Sequence, residues 1–119
     1  MAGGISTTFW TDADRLVATS VVVVDRPKGS RHPIAIDHVY PLDYGYLEGT
    51  ISGDGEGVDV WLGASGNRHV TAAVCTIDLS KRDVELKLLL GCSQEEVSEI
   101  GRFFRELGLQ FELVARRDF

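Results

Sequence analysis

The chain has 119 residues, 44% hydrophobic and 25% charged, enough to bury one core without disulfides and the mixture of a globular rather than a disordered chain. Eighteen acidic against twelve basic residues give a net charge of −6, which argues against an electrostatic grip on DNA or RNA and suits cations as partners. No apolar run approaches the roughly 20 residues that cross a bilayer, and the N-terminus lacks the basic start and apolar stretch of a secretory signal. The expectation is one cytoplasmic domain over residues 1–119, with neither membrane nor nucleic acid as partner.

Residues 8–18 place Phe9, Trp10, Ala13, Leu16 and Val17 on one helical face, with Asp12 and Asp14 early, where carboxylates favour a helix N-terminus. A short helix is predicted. The run Val21, Val22, Val23, Val24 is β-branched and bounded by Ser20 and Asp25, so it reads as a buried strand. Pro27, Gly29 and Pro33 make residues 26–33 a loop. Aromatic residues recur around Pro41 and Gly45, residues 51–57 are glycine-rich and acidic, and residues 58–62 return to strand character. After a turn at Gly66 and Asn67, residues 69–77 and 84–90 read as two longer strands joined as a hairpin. Ser93 and Glu96 form a capping-box pattern. Val97, Ile100, Phe103, Phe104 and Leu107 then define one apolar helix face before Gly108 supplies a stop. Residues 109–115 alternate loosely, as a closing strand. Five or six strands with two helices fit a mainly β fold, a small closed barrel carrying a helix.

Cys75 and Cys92 have no CxxC spacing and no histidine neighbours, so they read as reduced apolar fillers rather than zinc ligands. His32, His38 and His69 show no ligand-like spacing, and Trp10 and Trp61 read as core.

The segment Asp54-Gly55-Glu56-Gly57-Val58-Asp59 carries the most information. It sets three carboxylates within six residues, separated by glycines that let the backbone bend tightly. Hard cations such as Mg²⁺ take oxygen ligands of this kind, together with water and substrate phosphate. Taken alone, the same string also suits a solvated turn, which Gly and Asp favour for backbone reasons.

Two neighbouring stretches, Tyr40-Pro41-Leu42-Asp43-Tyr44-Gly45-Tyr46 and Asp25-Arg26-Pro27-Lys28-Gly29-Ser30-Arg31, change the weight of that segment. Together the three, with the aspartate pair Asp78 and Asp83, resemble the motifs and spacing of family I soluble inorganic pyrophosphatases over roughly residues 20–107. The resemblance implies a closed, five-stranded OB-like barrel and Mg²⁺-assisted hydrolysis of diphosphate to two phosphates, with Mn²⁺ as a substitute ion. It implies Asp54, Asp59 and Asp83 as ligands of the central metals, with Asp78 and Asp25 holding further ions. Glu56 would take the proton of the attacking water, Tyr44 would donate to a phosphate, and Tyr40 would buttress the site from behind. Two closely spaced metals can activate a water and balance charge on both the attacking and leaving oxygens.

Positive charge is where the chain departs from that pattern. Pro33, Ile34 and Ala35 stand where the family places a lysine and a glutamate, and Glu85 stands where it places a lysine two residues beyond Asp83. Lys28 and Arg31 remain as candidate phosphate ligands, with Arg26 and Arg82 in reserve. The reading is weak Mg²⁺-dependent hydrolysis of pyrophosphate or a related small diphosphate. The alternative is a non-catalytic domain that binds divalent cations or a phosphorylated ligand, and a homo-oligomer is compatible with either.

Overall fold

Alternation along six strands divides the apolar side chains between the two faces of one sheet. The computed structural model describes residues 7–117. Helix α1 (Thr7–Ala18) leads into β1 (Val21–Arg26), β2 (Asp43–Glu48), β3 (Val58–Leu62), β4 (Val70–Asp78) and β5 (Asp83–Leu90), followed by α2 (Gln94–Glu106) and β6 (Gln110–Ala115). The strand order is β1-β2-β3-β5-β4-β6. Only β3 and β5 run parallel; the other neighbours are antiparallel.

The expected closed barrel is corrected here. Strands β1 and β6 end the sheet and are not paired with each other. Strand β6 lies along β4 from Ala72 to Ile77 and takes the edge that a closing strand would need, while β1 meets only β2 and shifts register between Val24 and Arg26. The mainly β content and the two helices match expectation.

On one face, Trp10, Ala13 and Val17 of α1 pack against Leu47, Val60, Leu62, Val70, Ala73, Leu88 and Leu90. On the other, Ile100, Phe103 and Phe104 of α2 cover Tyr40, Leu42, Trp61, Ala72, Val74 and Leu89. Consecutive residues of β3 thus serve opposite cores, Val60 one and Trp61 the other, as a period of two requires. Trp10 and Trp61 are both core residues, 4% and 1% exposed.

Polar ties fix the helices. Asp14 on α1 accepts the Val70 N–H at 2.9 Å and the Arg116 guanidinium at 2.7 Å. Ser93 caps α2 in the predicted capping box, and Glu96 does more than close it: its second oxygen accepts the Ala64 N–H at 2.9 Å, joining the helix to the turn after β3. Gly45 is required where β1 pairs closely with β2, since a Cβ there would lie 1.8 Å from the Val23 carbonyl oxygen. Cys75 and Cys92 are free and half-buried. Among the described residues no helix is long and apolar enough to cross a membrane.

Candidate functional site

Alternation also assembles the site. Asp83, Glu85 and Lys87 sit at every second position of β5 and so share one face, the face that carries Leu89 into the α2 core. The parallel register sets Asp59 of β3 beside Lys87, and the antiparallel hairpin sets Asp78 of β4 beside Asp83. Tyr44 of β2 pairs with Trp61 of β3 in the adjoining register position. These groups open into a cleft of about 380 Å³ that runs along the sheet to the end of α2. A larger hollow of about 740 Å³ lies between α1 and the turn at residues 65–69, but it lacks the carboxylate cluster.

Most of the sequence-predicted residues line this cleft. Asp25, Asp54, Glu56, Asp59, Asp78 and Asp83 do, as do Tyr40 and Tyr44. Lys28 and Arg31 do not. The Lys28 side chain borders a separate hollow with Asp43 and Arg68, and Arg31 donates to the Ile36 carbonyl at 3.0 Å. Their loop folds back on itself, with Gly29 N–H donating to the Tyr40 carbonyl and Tyr40 N–H to that of Ser30, which carries both basic side chains away. Among the described residues Arg26, Lys81 and Lys87 are the cations that reach the cleft, against seven carboxylates once Glu85 is counted.

Lys87 is the residue that sequence reasoning missed. Its side chain is 9% exposed, and its ammonium donates to the Tyr44 hydroxyl at 2.8 Å, Asp59 Oδ2 at 3.0 Å and Glu85 Oε1 at 2.9 Å. The Nζ also lies 5.4 Å from the centre of the Tyr44 ring. The signal was present in the spacing: the position two residues beyond Asp83 holds Glu85, and the next on that face holds lysine.

The electrostatics follow from this arrangement. Burial opposes the charge on Lys87, but the Tyr44, Asp59 and Glu85 oxygens outweigh it and hold the ammonium protonated far above its ordinary range. The Lys87 hydrogen bond, against burial, keeps Glu85 below the usual carboxylate range. Burial pushes Asp59 up despite Lys87, and burial together with the neighbouring Glu85 charge pushes Asp83 up. Burial likewise raises Tyr44, against the pull of the Lys87 ammonium whose hydrogen bond its hydroxyl accepts.

The outer carboxylates are engaged locally. Asp54 accepts from the Ser52 hydroxyl at 2.5 Å and the Glu56 N–H at 2.9 Å, and both bonds hold its carboxyl below the usual range. Asp78 accepts from the Ser80 hydroxyl, the Ser80 N–H and the Lys81 N–H, with the same effect. As arranged, the donors do not fit a resident Mg²⁺ shared by Asp54, Asp59 and Asp83. Asp59 Oδ2 is taken by an ammonium, and Oδ1 of Asp54 is engaged within its own loop. Among the described residues no three carboxylate, imidazole or thiol groups are gathered closely enough to hold an ion.

Two further features complete the lining. His32 accepts the Ile34 and Ala35 N–H groups through Nδ1 and stacks on Tyr40, with ring centres 6.1 Å apart. Trp61 forms the floor, and its buried indole N–H has no hydrogen-bond partner among the described residues.

No family model matches the chain. An inorganic pyrophosphatase of Leifsonia xyli subsp. xyli is 39% identical over a stretch that covers 33% of this chain and 33% of that protein, so the match spans about a third of the relative's length. Two solved structures are similar over most of the chain. One is an inorganic pyrophosphatase of Helicobacter pylori, with a TM-score of 0.55 and 17% identity, covering 80% of each chain. The other is an inorganic phosphatase of Anaplasma phagocytophilum, with a TM-score of 0.50 and 18% identity, covering 79% of this chain and 81% of that one. The chain has the fold of the inorganic pyrophosphatases.

Proposed function

We propose that the cleft takes a small diphosphate, pyrophosphate or a close relative, together with the divalent cation that accompanies it in solution, and hydrolyses it slowly. The observation that supports this reading most is convergence. Carboxylates from β1, the 49–57 turn, β3 and the β4–β5 hairpin all open into one cleft, in a chain that shares its fold with inorganic pyrophosphatases.

Charge decides the form of the substrate. Seven carboxylates against three basic side chains repel a bare phosphate anion, so the anion must arrive with Mg²⁺ or Mn²⁺. Asp25, Asp54, Asp78 and Asp83 stand at the rim to meet that cation, and Arg26 and Lys81 are the cations in reach of the phosphates. Water attacks one phosphorus, the bridging oxygen leaves with the second phosphate, and Glu56 takes the water's proton. Tyr40 supports this wall by packing between Tyr44, Trp61 and Phe103. Turnover is slow because Asp59 and Tyr44 are committed to Lys87, and because Glu56 must be placed to within about 1 Å or lose on the order of 10²-fold in rate.

A second reading, a non-catalytic domain that binds the same ligands, is favoured by the engagement of Asp59. A colorimetric assay of phosphate release from pyrophosphate and other small diphosphates, with Mg²⁺, separates the two. Slow release abolished by Glu56→Gln is the expected result. Binding without any release assigns the second reading, and neither binding nor release refutes both.

A further inference from the structure

We propose that Lys87 is the cleft's own cation: its ammonium fills the oxygen cage made by Asp59, Glu85 and Tyr44, so that the floor admits no divalent ion until that ammonium is removed. The proposal rests on the cleft described above but concerns which cation its floor accepts, not whether a diphosphate is cleaved.

Three oxygens from three strands, β2, β3 and β5, surround Nζ at 2.8, 3.0 and 2.9 Å. An ammonium has three N–H donors, so each oxygen takes one and none of the donors is left over. The lysine is 9% exposed, and the two carboxylates that face it are 29% and 23% exposed. A hard divalent cation seeks the same ligands, carboxylate and hydroxyl oxygens at one point. It cannot share the cage with a fixed positive charge, because two cations at contact distance in a partly buried site repel strongly.

Removing the ammonium inverts the situation. Asp59 and Glu85 would then face each other without a counter-charge, and Glu85 also neighbours Asp83. An uncompensated charge in a partly buried site is costly, and the oxygens that Lys87 leaves behind, two carboxylates and the Tyr44 hydroxyl, are satisfied by a divalent ion. In the unmodified protein a cation brought in with a diphosphate therefore meets the rim carboxylates only.

The test is Mn²⁺ binding without any diphosphate, read from the free-ion signal in electron paramagnetic resonance and from thermal melts with chelator and with millimolar Mn²⁺. Lys87→Met should bind one Mn²⁺ at least about tenfold more tightly than the unmodified protein, since one charge pair is exchanged for an ion. The gain should vanish when Asp59→Asn is added. Lys87→Gln keeps a polar group of similar length and carries the same expectation should the methionine variant fail to fold. Asp59→Asn alone should leave whatever Mn²⁺ affinity the unmodified protein has unchanged. Two results overturn the proposal: no gain in affinity in either lysine variant, or tight binding to the unmodified protein that Asp59→Asn removes. Absence of pyrophosphate hydrolysis would not touch this readout, because no diphosphate is present.

Discussion

Replacing Asp14 by Asn tests how α1 is held to the sheet. The carboxylate accepts Arg116 at 2.7 Å and the Val70 N–H at 2.9 Å, and Arg116 is 10% exposed, lying over the Trp10 ring and donating also to the Val70 carbonyl. Asparagine keeps an acceptor for Val70, so the change removes charge and little else. At 2.7 Å the gross attraction is about 6 kcal/mol with an effective dielectric of about 20, most of it cancelled by the desolvation of both ions. A hydrogen bond to a charged group contributes about 1.5–3 kcal/mol net, and with Asp14 one quarter exposed the lower part of that range applies, about 1.5–2 kcal/mol. For a chain of this length each kcal/mol moves the midpoint by about 4 °C, so Asp14→Asn should melt about 6–8 °C lower at pH 7.

The same residue predicts a pH dependence. Burial alone would raise the Asp14 carboxyl, but the hydrogen bonds from Arg116 and Val70 bring it below its ordinary value. Its contribution is therefore present in full above the ordinary carboxylate pKa and is lost as pH falls through the lowered one. Thermal melts of both proteins from pH 7 downward should show the gap closing below about pH 4. A gap that persists unchanged in acid would show that packing, not charge, carries the effect, and no gap at pH 7 would refute the clamp.

Two further substitutions or treatments check the packing around the site. Gly45→Ala places a Cβ 1.8 Å from the Val23 carbonyl oxygen and should separate β1 from β2 at a cost of about 3 kcal/mol or more, visible as lost soluble yield or a melt at least about 12 °C lower; an unchanged melt would contradict the close pairing. Burial, with the nearby Glu96 charge, pushes the Cys92 thiol up to about 12. Alkylation of Cys92 by iodoacetamide at pH 8, followed by mass spectrometry, should therefore be at least about a hundredfold slower in the folded than in the urea-unfolded protein, and equal rates would contradict its burial.

Where the sequence carries a local signal, the structure follows it closely. The capping box at Ser93 and Glu96, the Gly108 stop, the β4–β5 hairpin and the strand over residues 58–62 are each set by residues near in sequence. The segment 40–46 did not declare a strand, because its aromatic residues and Pro41 break the period of two, yet β2 occupies Asp43–Glu48 through pairing on both edges. Closure of the sheet was beyond local reading as well, since it depends on which distant strand takes the free edge of β4.

The acidic half of the candidate site is brought together by the fold: Asp54, Glu56, Asp59, Asp78 and Asp83 open into one cleft. The basic half is not. Lys28 and Arg31 adjoin the motif in sequence, but the 27–42 loop turns them outward through its own backbone bonds. Lys87 carries no motif signal of its own, because the family pattern points two residues beyond Asp83, to Glu85, whereas the same face of β5 includes the residue two further on.

The two tryptophans offer the most direct measurement of the central claim, that a small diphosphate with its cation occupies the acidic cleft. Trp61 forms the floor of the cleft and Trp10 lies in the other core, across the sheet, so their indole N–H signals in a nitrogen-15 correlation spectrum report the two faces separately. Titration with Mg²⁺ and methylene diphosphonate, a non-hydrolysable diphosphate, should move the Trp61 signal and leave that of Trp10 in place. A shift of Trp10 alone, or no shift of either at saturating ligand, would contradict the assignment of this cleft.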